Sequence, residues 1–203
     1  DFNEVFFTEA KTAKENVIGE VNGGWAVAMT PLGFERGEAA ATTPVAFRGE
    51  LDRLVALARE RGRADDPIIR QRLMWCHSKV EIMRYLGMRT LTKFLAGESP
   101  GPDASIFKLY WSEYHKVATE LATDILGADG MHLVGKLPTS AFSTDSAGAP
   151  NDSGSWLGTF LNARAGTIYA GTSQVQRNII GEMVLGLPKE PRSDGGPWKD
   201  IPK

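Results

Sequence analysis

The stretch from Asp66 to Ala96 limits the possible folds more than any other part of the chain. Ile69, Leu73, Cys76, Val80, Met83, Gly87, Leu91 and Phe94 recur in steps of three and four. That spacing draws one apolar stripe along a long amphipathic helix. Asp66-Pro67 supplies a capping side chain followed by a proline suited to a first helical turn. Gly97 to Pro102, with two glycines and two prolines, closes the run. A helix with a single apolar stripe must bury it against other helices or a sheet.

The neighbouring segments offer helices. Helical spacing begins near Trp25, Thr30-Pro31 reads as an N-cap with proline in the first turn, and the pattern continues to Arg61. Pro44 predicts a kink or break within it. A third helix is expected from about Asp103 to Leu126, with Ile106, Tyr110, Val117, Leu121 and Ile125 on one side and Gly127-Ala128-Asp129-Gly130 as its stop. Residues 131–155 are irregular, and Asp145 to Ser155 reads as a loop. A last helix is expected from about Ser173 to Leu185, capped by Thr172 or Ser173 and closed by Gly186-Leu187-Pro188. Residues 2–7, rich in Phe and Val, predict one short strand. The expected fold is therefore mainly α: an antiparallel four-helix bundle with a short N-terminal β remnant. In this division residues 1–23 are the β remnant and linker, 24–188 the bundle, and 189–203 a flexible Pro- and Gly-rich tail.

Composition excludes several functions. Lys and Arg total 23 against 25 for Asp and Glu, a net charge of −2 over 203 residues, which argues against nucleic-acid binding by bulk charge. The only cysteine, Cys76, allows no internal disulfide and fits a reducing, cytoplasmic setting. No apolar run reaches the ~18 residues of a spanning helix. His77, His115 and His132 have no Cys or second His at metal-ligand spacing, and Glu-x-x-His pairs are absent, so no metal site is expected. There is no G-x-S-x-G, P-loop or G-x-G-x-x-G signature.

Three segments carry more information. They are Asn22-Gly23-Gly24-Trp25 leading to Gly33-Phe34-Glu35-Arg36-Gly37; Ile125-Leu126-Gly127-Ala128-Asp129-Gly130; and Ile168-Tyr169-Ala170-Gly171-Thr172-Ser173-Gln174-Val175-Gln176-Arg177, closing at Leu185-Gly186-Leu187-Pro188. In this order they resemble the C-terminal half of the acyl-CoA dehydrogenases, particularly the actinobacterial type. Asp1 to Phe7 resembles the end of that family's middle β-domain.

The resemblance implies an FAD-dependent α,β-dehydrogenation of an acyl-CoA thioester. It also implies electron-transfer flavoprotein as acceptor, lipid metabolism as setting and homo- or hetero-oligomers formed through the bundle. The family's N-terminal helical domain and most of its β-domain would lie outside this chain. An α-proton of a thioester is weakly acidic, so the base must be desolvated and its pKa raised. Many members carry that base as a Glu directly before the Gly-Thr of the third segment. Here the position is Ala170. Other members carry it on the first bundle helix, where the matching residue is Glu35, with Glu38 as a neighbouring carboxylate off the family position.

The resemblance assigns further roles. Arg36 matches a supporting or CoA-side arginine, a position equally open to a surface salt bridge. The backbone N–H of Ala170 matches a thioester donor, flanked by Tyr169 and Gly171 as substrate contacts. Thr172 and Gln174 match flavin contacts, although Thr172 would also serve as a plain helix cap. Gly127 and Gly130 match the turn near the adenine end of FAD, and helix-ending glycines would look the same. The family's Arg-x-x-Phe motif, which binds the neighbouring subunit's pyrophosphate, corresponds here to Arg59-Glu60-Arg61-Gly62-Arg63-Ala64-Asp65-Asp66, with arginines but no such Phe. A degenerate, non-catalytic assembly module and an oxygen-using oxidase are the alternatives. A base on the first helix suits branched or bulky acyl groups.

Overall fold

The computed structural model describes residues 3–98, 101–102, 104–135, 150–189 and 191; the side chains of 32–39 and 41 lie outside this set. Five α-helices organise the described residues: α1 (Gly24–Glu60), α2 (Pro67–Leu95), α3 (Ala104–Leu126), α4 (Ser153–Ala163) and α5 (Ser173–Ile179), the last running into a π-turn at Ile180–Val184. Short connections from α1 to α2 and from α2 to α3 reverse the chain. No helix among the described residues is long and apolar enough to cross a membrane.

The expected α2 forms as drawn at its start. Asp66 Oδ1 accepts the Ile68 and Ile69 amides at 2.9 and 3.3 Å, with Pro67 opening the helix. A hydrogen bond from Arg63, reinforced by those amides, holds the Asp66 carboxyl below its ordinary value. Ile69, Cys76, Val80, Met83 and Gly87 are buried, but the stripe stops there. Leu91 and Phe94, expected to continue it, are exposed.

Two proline readings need correction. α1 starts at Gly24, not at Thr30, and runs unbroken through both Pro31 and Pro44. Pro44 has no N–H, so the Ala40 carbonyl loses its partner in the helix ladder. Gly87 of α2 seats against that freed carbonyl: a methyl added there would lie 2.6 Å from the Ala40 oxygen and 3.3 Å from the Pro44 ring. Ala40 and Pro44 are both buried. Packing onto α2 thus holds the helix through a position where sequence alone predicts a break.

The short strand expected over residues 2–7 does not form in the described part. Residues 3–7 are irregular, and Val5, Phe6 and Phe7 are 72–82% exposed. A strand needs a partner for its backbone groups, and the described residues provide none. The loop reading of 145–155 is also revised. Positions 136–149 lie outside the described residues, but Ser153–Ala163 is a helix, begun by Asp152 accepting the Ser155 amide at 2.8 Å. Its Trp156 is fully buried, with the Arg53 guanidinium 4.9 Å from the ring centre and the indole N–H donated to Asn151 at 2.8 Å. The tail from 189 falls almost wholly outside the described residues.

α3 lies at the centre. Phe47, Leu51 and Leu54 of α1 and Cys76, Val80 and Met83 of α2 join Phe107, Tyr114, Ala118, Leu121 and Ile125 in one core. Into it is set a buried polar pair, His115 Nε2 and Glu50 Oε2 at 2.9 Å. Glu50 Oε1 and the Tyr114 hydroxyl have no hydrogen-bond partner among the described residues. Burial, and then the Glu50 charge, push the Tyr114 phenol well above its ordinary value, and burial pushes the Cys76 thiol up to about 12.

Candidate functional site

After α4 the chain makes a tight turn at Ala165–Thr167. Gly166 fits there because a side chain would lie 3.2 Å from the Trp111 ring of α3. The Ile168 and Tyr169 amides both return to Ala165 O, at 2.9 and 3.0 Å. Tyr169 is half-buried with its ring 6.4 Å from Trp111, and burial raises its phenol above the ordinary value. Ala170 then takes φ +53 and Gly171 φ +88. The left-handed region is costly for a residue with a Cβ, so Ala170 must be held there by its surroundings.

Two side chains do the holding. Gln176 is fully buried, and its Nε2 donates to Ala170 O at 2.8 Å. Lys108, on α3, donates to Gly171 O at 2.7 Å and to Gly166 O at 2.9 Å. In a planar trans peptide the C=O and the following N–H point in opposite directions. With the carbonyls of 170 and 171 drawn toward Gln176 and Lys108, the N–H groups of Gly171 and Thr172 are turned away from them. Neither has a hydrogen-bond partner among the described residues.

The start of α5 completes the surface. Thr172 Oγ1 accepts the Val175 amide at 3.2 Å, so the capping role is filled, and its hydroxyl hydrogen remains available to donate. Gln174 is exposed beside it. Ser173 donates to Glu113 Oε1 at 2.8 Å and Lys116 to Glu113 Oε2 at 3.0 Å. Burial alone would raise the Glu113 carboxyl; the Ser173 hydroxyl, Lys116 and the Arg177 charge outweigh it and bring it below its ordinary value. The outward array of Gly171, Thr172 and Gln174 is neutral and rich in donors. That donor set fits a thioester carbonyl or the polar edge of a flavin. Among the described residues no group of His, Cys, Asp and Glu is placed to hold a metal ion.

The structure brings Tyr169, Ala170, Gly171, Thr172 and Gln174 together. Gly127 and Gly130 sit elsewhere, in the turn Gly127–Met131 that ends α3. Lys108 and Gly127 are 19 positions apart, about 28 Å along a helix axis. The two clusters therefore stand toward opposite ends of α3 and cannot touch the same part of one cofactor. Gly127 takes φ +58 with open space beside it, Gly130 is buried against Leu126, and Asp129 between them pairs with Arg61 at the end of α1. Glu35, Arg36 and Glu38 lie on α1, within the stretch whose side chains are outside the described residues. Sequence reasoning missed Lys108, Glu113 and Gln176. The available signal was a lysine among Ala104, Ser105, Phe107 and Ser112, on positions that all turn out to be buried.

Residues 22–185 match the family model for "Acyl-CoA dehydrogenase, C-terminal domain". The chain belongs to the acyl-CoA dehydrogenase family. It is 40% identical over 190 residues to acyl-CoA dehydrogenase IpdE1 of Mycobacterium tuberculosis, covering 94% of this chain and 45% of that protein. Its likeness to IpdE1 of Mycolicibacterium smegmatis is 38%, over 94% of this chain and 43% of the relative. The chain thus spans a little under half the length of these curated relatives. Among solved structures it resembles the Tcur3481-Tcur3483 steroid ACAD, with TM-score 0.72 and 27% identity over 91% of this chain and 45% of that one. It also resembles the ChsE4-ChsE5 complex from Mycobacterium tuberculosis, with TM-score 0.62 and 26% identity over 85% and 42%. These likenesses support the mainly helical fold and an oxidoreductase, flavoprotein family of lipid metabolism.

Proposed function

We propose that this chain forms the helical-bundle part of an FAD-dependent acyl-CoA dehydrogenase that converts an acyl-CoA thioester to the trans-2-enoyl-CoA. The carrying observation is the turn at 170–172, whose carbonyls are tied inward and whose following amides are left to donate outward. The Ala170 N–H holds the thioester oxygen, where negative charge develops as the α-proton leaves. Glu35 takes that proton, since Ala170 offers no carboxylate. Tyr169 and Gly171 border the acyl thioester, and Arg36 serves the CoA side. Thr172 and Gln174 hold the flavin ring, and Gly127 and Gly130 approach the adenine end of FAD in a neighbouring subunit. When bound, FAD accepts the β-hydride.

A bulky acyl group is favoured, because the Tcur3481-Tcur3483 neighbour is a steroid ACAD and the first-helix base leaves the 170 position small. Electron-transfer flavoprotein is the proposed acceptor; one relative, from Acetobacterium woodii, is named a subunit of a caffeyl-CoA reductase-Etf complex. Assembly through the bundle is supported by the exposed apolar side of α2 and by a neighbour solved as a two-protein complex; a cytoplasmic setting is proposed from the single cysteine alone. The proposed domain division keeps the boundaries read from the sequence, without the strand: 1–23 an N-terminal segment and linker, 24–188 the bundle, 189–203 the tail.

The test is Glu35→Gln in the complete enzyme. Removal of the base is expected to lower kcat by about a thousandfold or more, roughly 4 kcal/mol of barrier. Flavin content and acyl-CoA binding should stay near normal. A second reading, a non-catalytic subunit, draws on Ala170 standing where many members carry Glu. Near-normal turnover by Glu35→Gln would favour it, or a base elsewhere.

A further inference from the structure

Among the described residues Lys108 is the one buried lysine or arginine next to the site, and no role above uses its charge. It is 6% exposed, near Ala104, Phe107 and Ser112 on the buried side of α3. Taking an ammonium out of water is costly unless its donors are satisfied. Here two donors go to main-chain carbonyls that lie 58 and 63 positions away in sequence, Gly166 O and Gly171 O. A methionine would fill similar space without that cost. What the ammonium adds is a tie between the entry and the exit of the turn that contains Ala170.

The tie has a geometric and an electrostatic effect. Bridging 166 to 171 restricts the five peptide units between them, including Ala170 in its costly left-handed state. A positive charge on the carbonyl side of the 171–172 peptide also polarises that unit and strengthens its opposite end, the Thr172 N–H, as a donor. Gln176 acts one peptide earlier, on Ala170 O, with a neutral group.

We infer that Lys108 is a positioning residue for the dehydrogenation, fixing the 166–171 turn from inside the bundle so that the Ala170 and Gly171 amides meet the thioester and the Thr172 amide meets the flavin in a set direction. This rests on the reading of the turn as the flavin and thioester surface. Two linked consequences separate it from a packing role. Loss of the ammonium should free the turn locally while the core stays closed, and it should weaken flavin retention and slow turnover more than it weakens acyl-CoA binding.

The experiment compares Lys108→Met with the unsubstituted protein in the complete flavoprotein, assembled with its partners. Hydrogen exchange at the Tyr169 and Gln176 amides is expected to quicken about tenfold, with the α3 core unchanged, as for a local opening. The Kd for FAD should rise about tenfold and kcat fall about tenfold or more, with KM for acyl-CoA within about threefold, as expected when an orienting contact is lost. If Lys108→Met does not fold, Lys108→Gln takes its place; it keeps donors for one carbonyl and should show about half the effect on a logarithmic scale. Unchanged exchange and kcat, with only a lowered Tm, would overturn the inference. Absence of flavin binding and acyl-CoA oxidation in the unsubstituted protein would instead defeat the reading of the surface, and the exchange measurement would still decide the tie.

Discussion

α2 and α3 are similar in length and lie side by side, yet they use their residues differently. Thirteen of the 23 residues of α3 are buried, including Lys108, Ser112, His115 and Thr119. Only five of the 29 in α2 are, all on one stripe. α3 packs against α1, α2, α4 and α5, so its polar residues must find partners inside the protein. α2 meets neighbours on one side only, and Trp75, Ile82, Tyr85, Met88 and Leu91 stay exposed on it. The comparison shows where chemistry can be stored. A helix surrounded by others can anchor charged and polar contacts at a distance, whereas a peripheral helix offers a surface.

The largest expected effect breaks α3's polar interior. Glu50→Ala leaves His115 buried without its partner, and denaturant unfolding should show a loss of about 3–5 kcal/mol. If the loss is under 1 kcal/mol, His115 and Glu50 are not the buried pair described. Next comes the contact between α1 and α2. Gly87→Val forces carbon atoms against the Ala40 carbonyl and the Pro44 ring, at an expected cost of about 1–3 kcal/mol by calorimetry. An equal cost for the same change at Gly49, which has open space around it, would mean that helix propensity and not the close approach is responsible.

A third substitution sharpens the contrast from the surface side. Ile82→Glu with Leu91→Glu should leave folding free energy within about 0.5 kcal/mol while lowering the mass found by light scattering. Unchanged mass would remove the exposed side of α2 from assembly. The smallest effect is acidic. Glu113 is held below its ordinary value, so its contribution to stability is complete above the usual range, near pH 4.3, and is lost as pH falls through the lowered value. Glu113→Gln should therefore flatten the acid limb of a stability-against-pH curve slightly, with neutral pH little changed.

This difference also sets what could be read from the sequence. The start of α2 was legible because its signals are local: Asp66-Pro67 and a three-four repeat lie within a few turns of one another. α1 was misread at Pro44 because the weight of that local signal is reversed by packing, and Gly87 lies 43 positions from it. α4 was hidden by its Ser and Gly content, although Asp152 three residues before Ser155, and Trp156, Thr159 and Ala163 on one side, were in view. The 168–177 motif stood out through its resemblance to a family. Lys108 did not, because its meaning lies in carbonyls 58 and 63 residues further on.

The seat of Gly87 on Ala40 has a consequence for the proposed chemistry. Ala40 and Glu35 are five residues apart on one helix, about 7.5 Å along its axis. A helix transmits a displacement along its length with little loss, so the depth of that seat gauges how far the proposed base stands from the rest of the bundle. Gly87 then serves as a datum from which the reach of a carboxylate on another helix is measured. A single added methyl at Gly87 would recalibrate it.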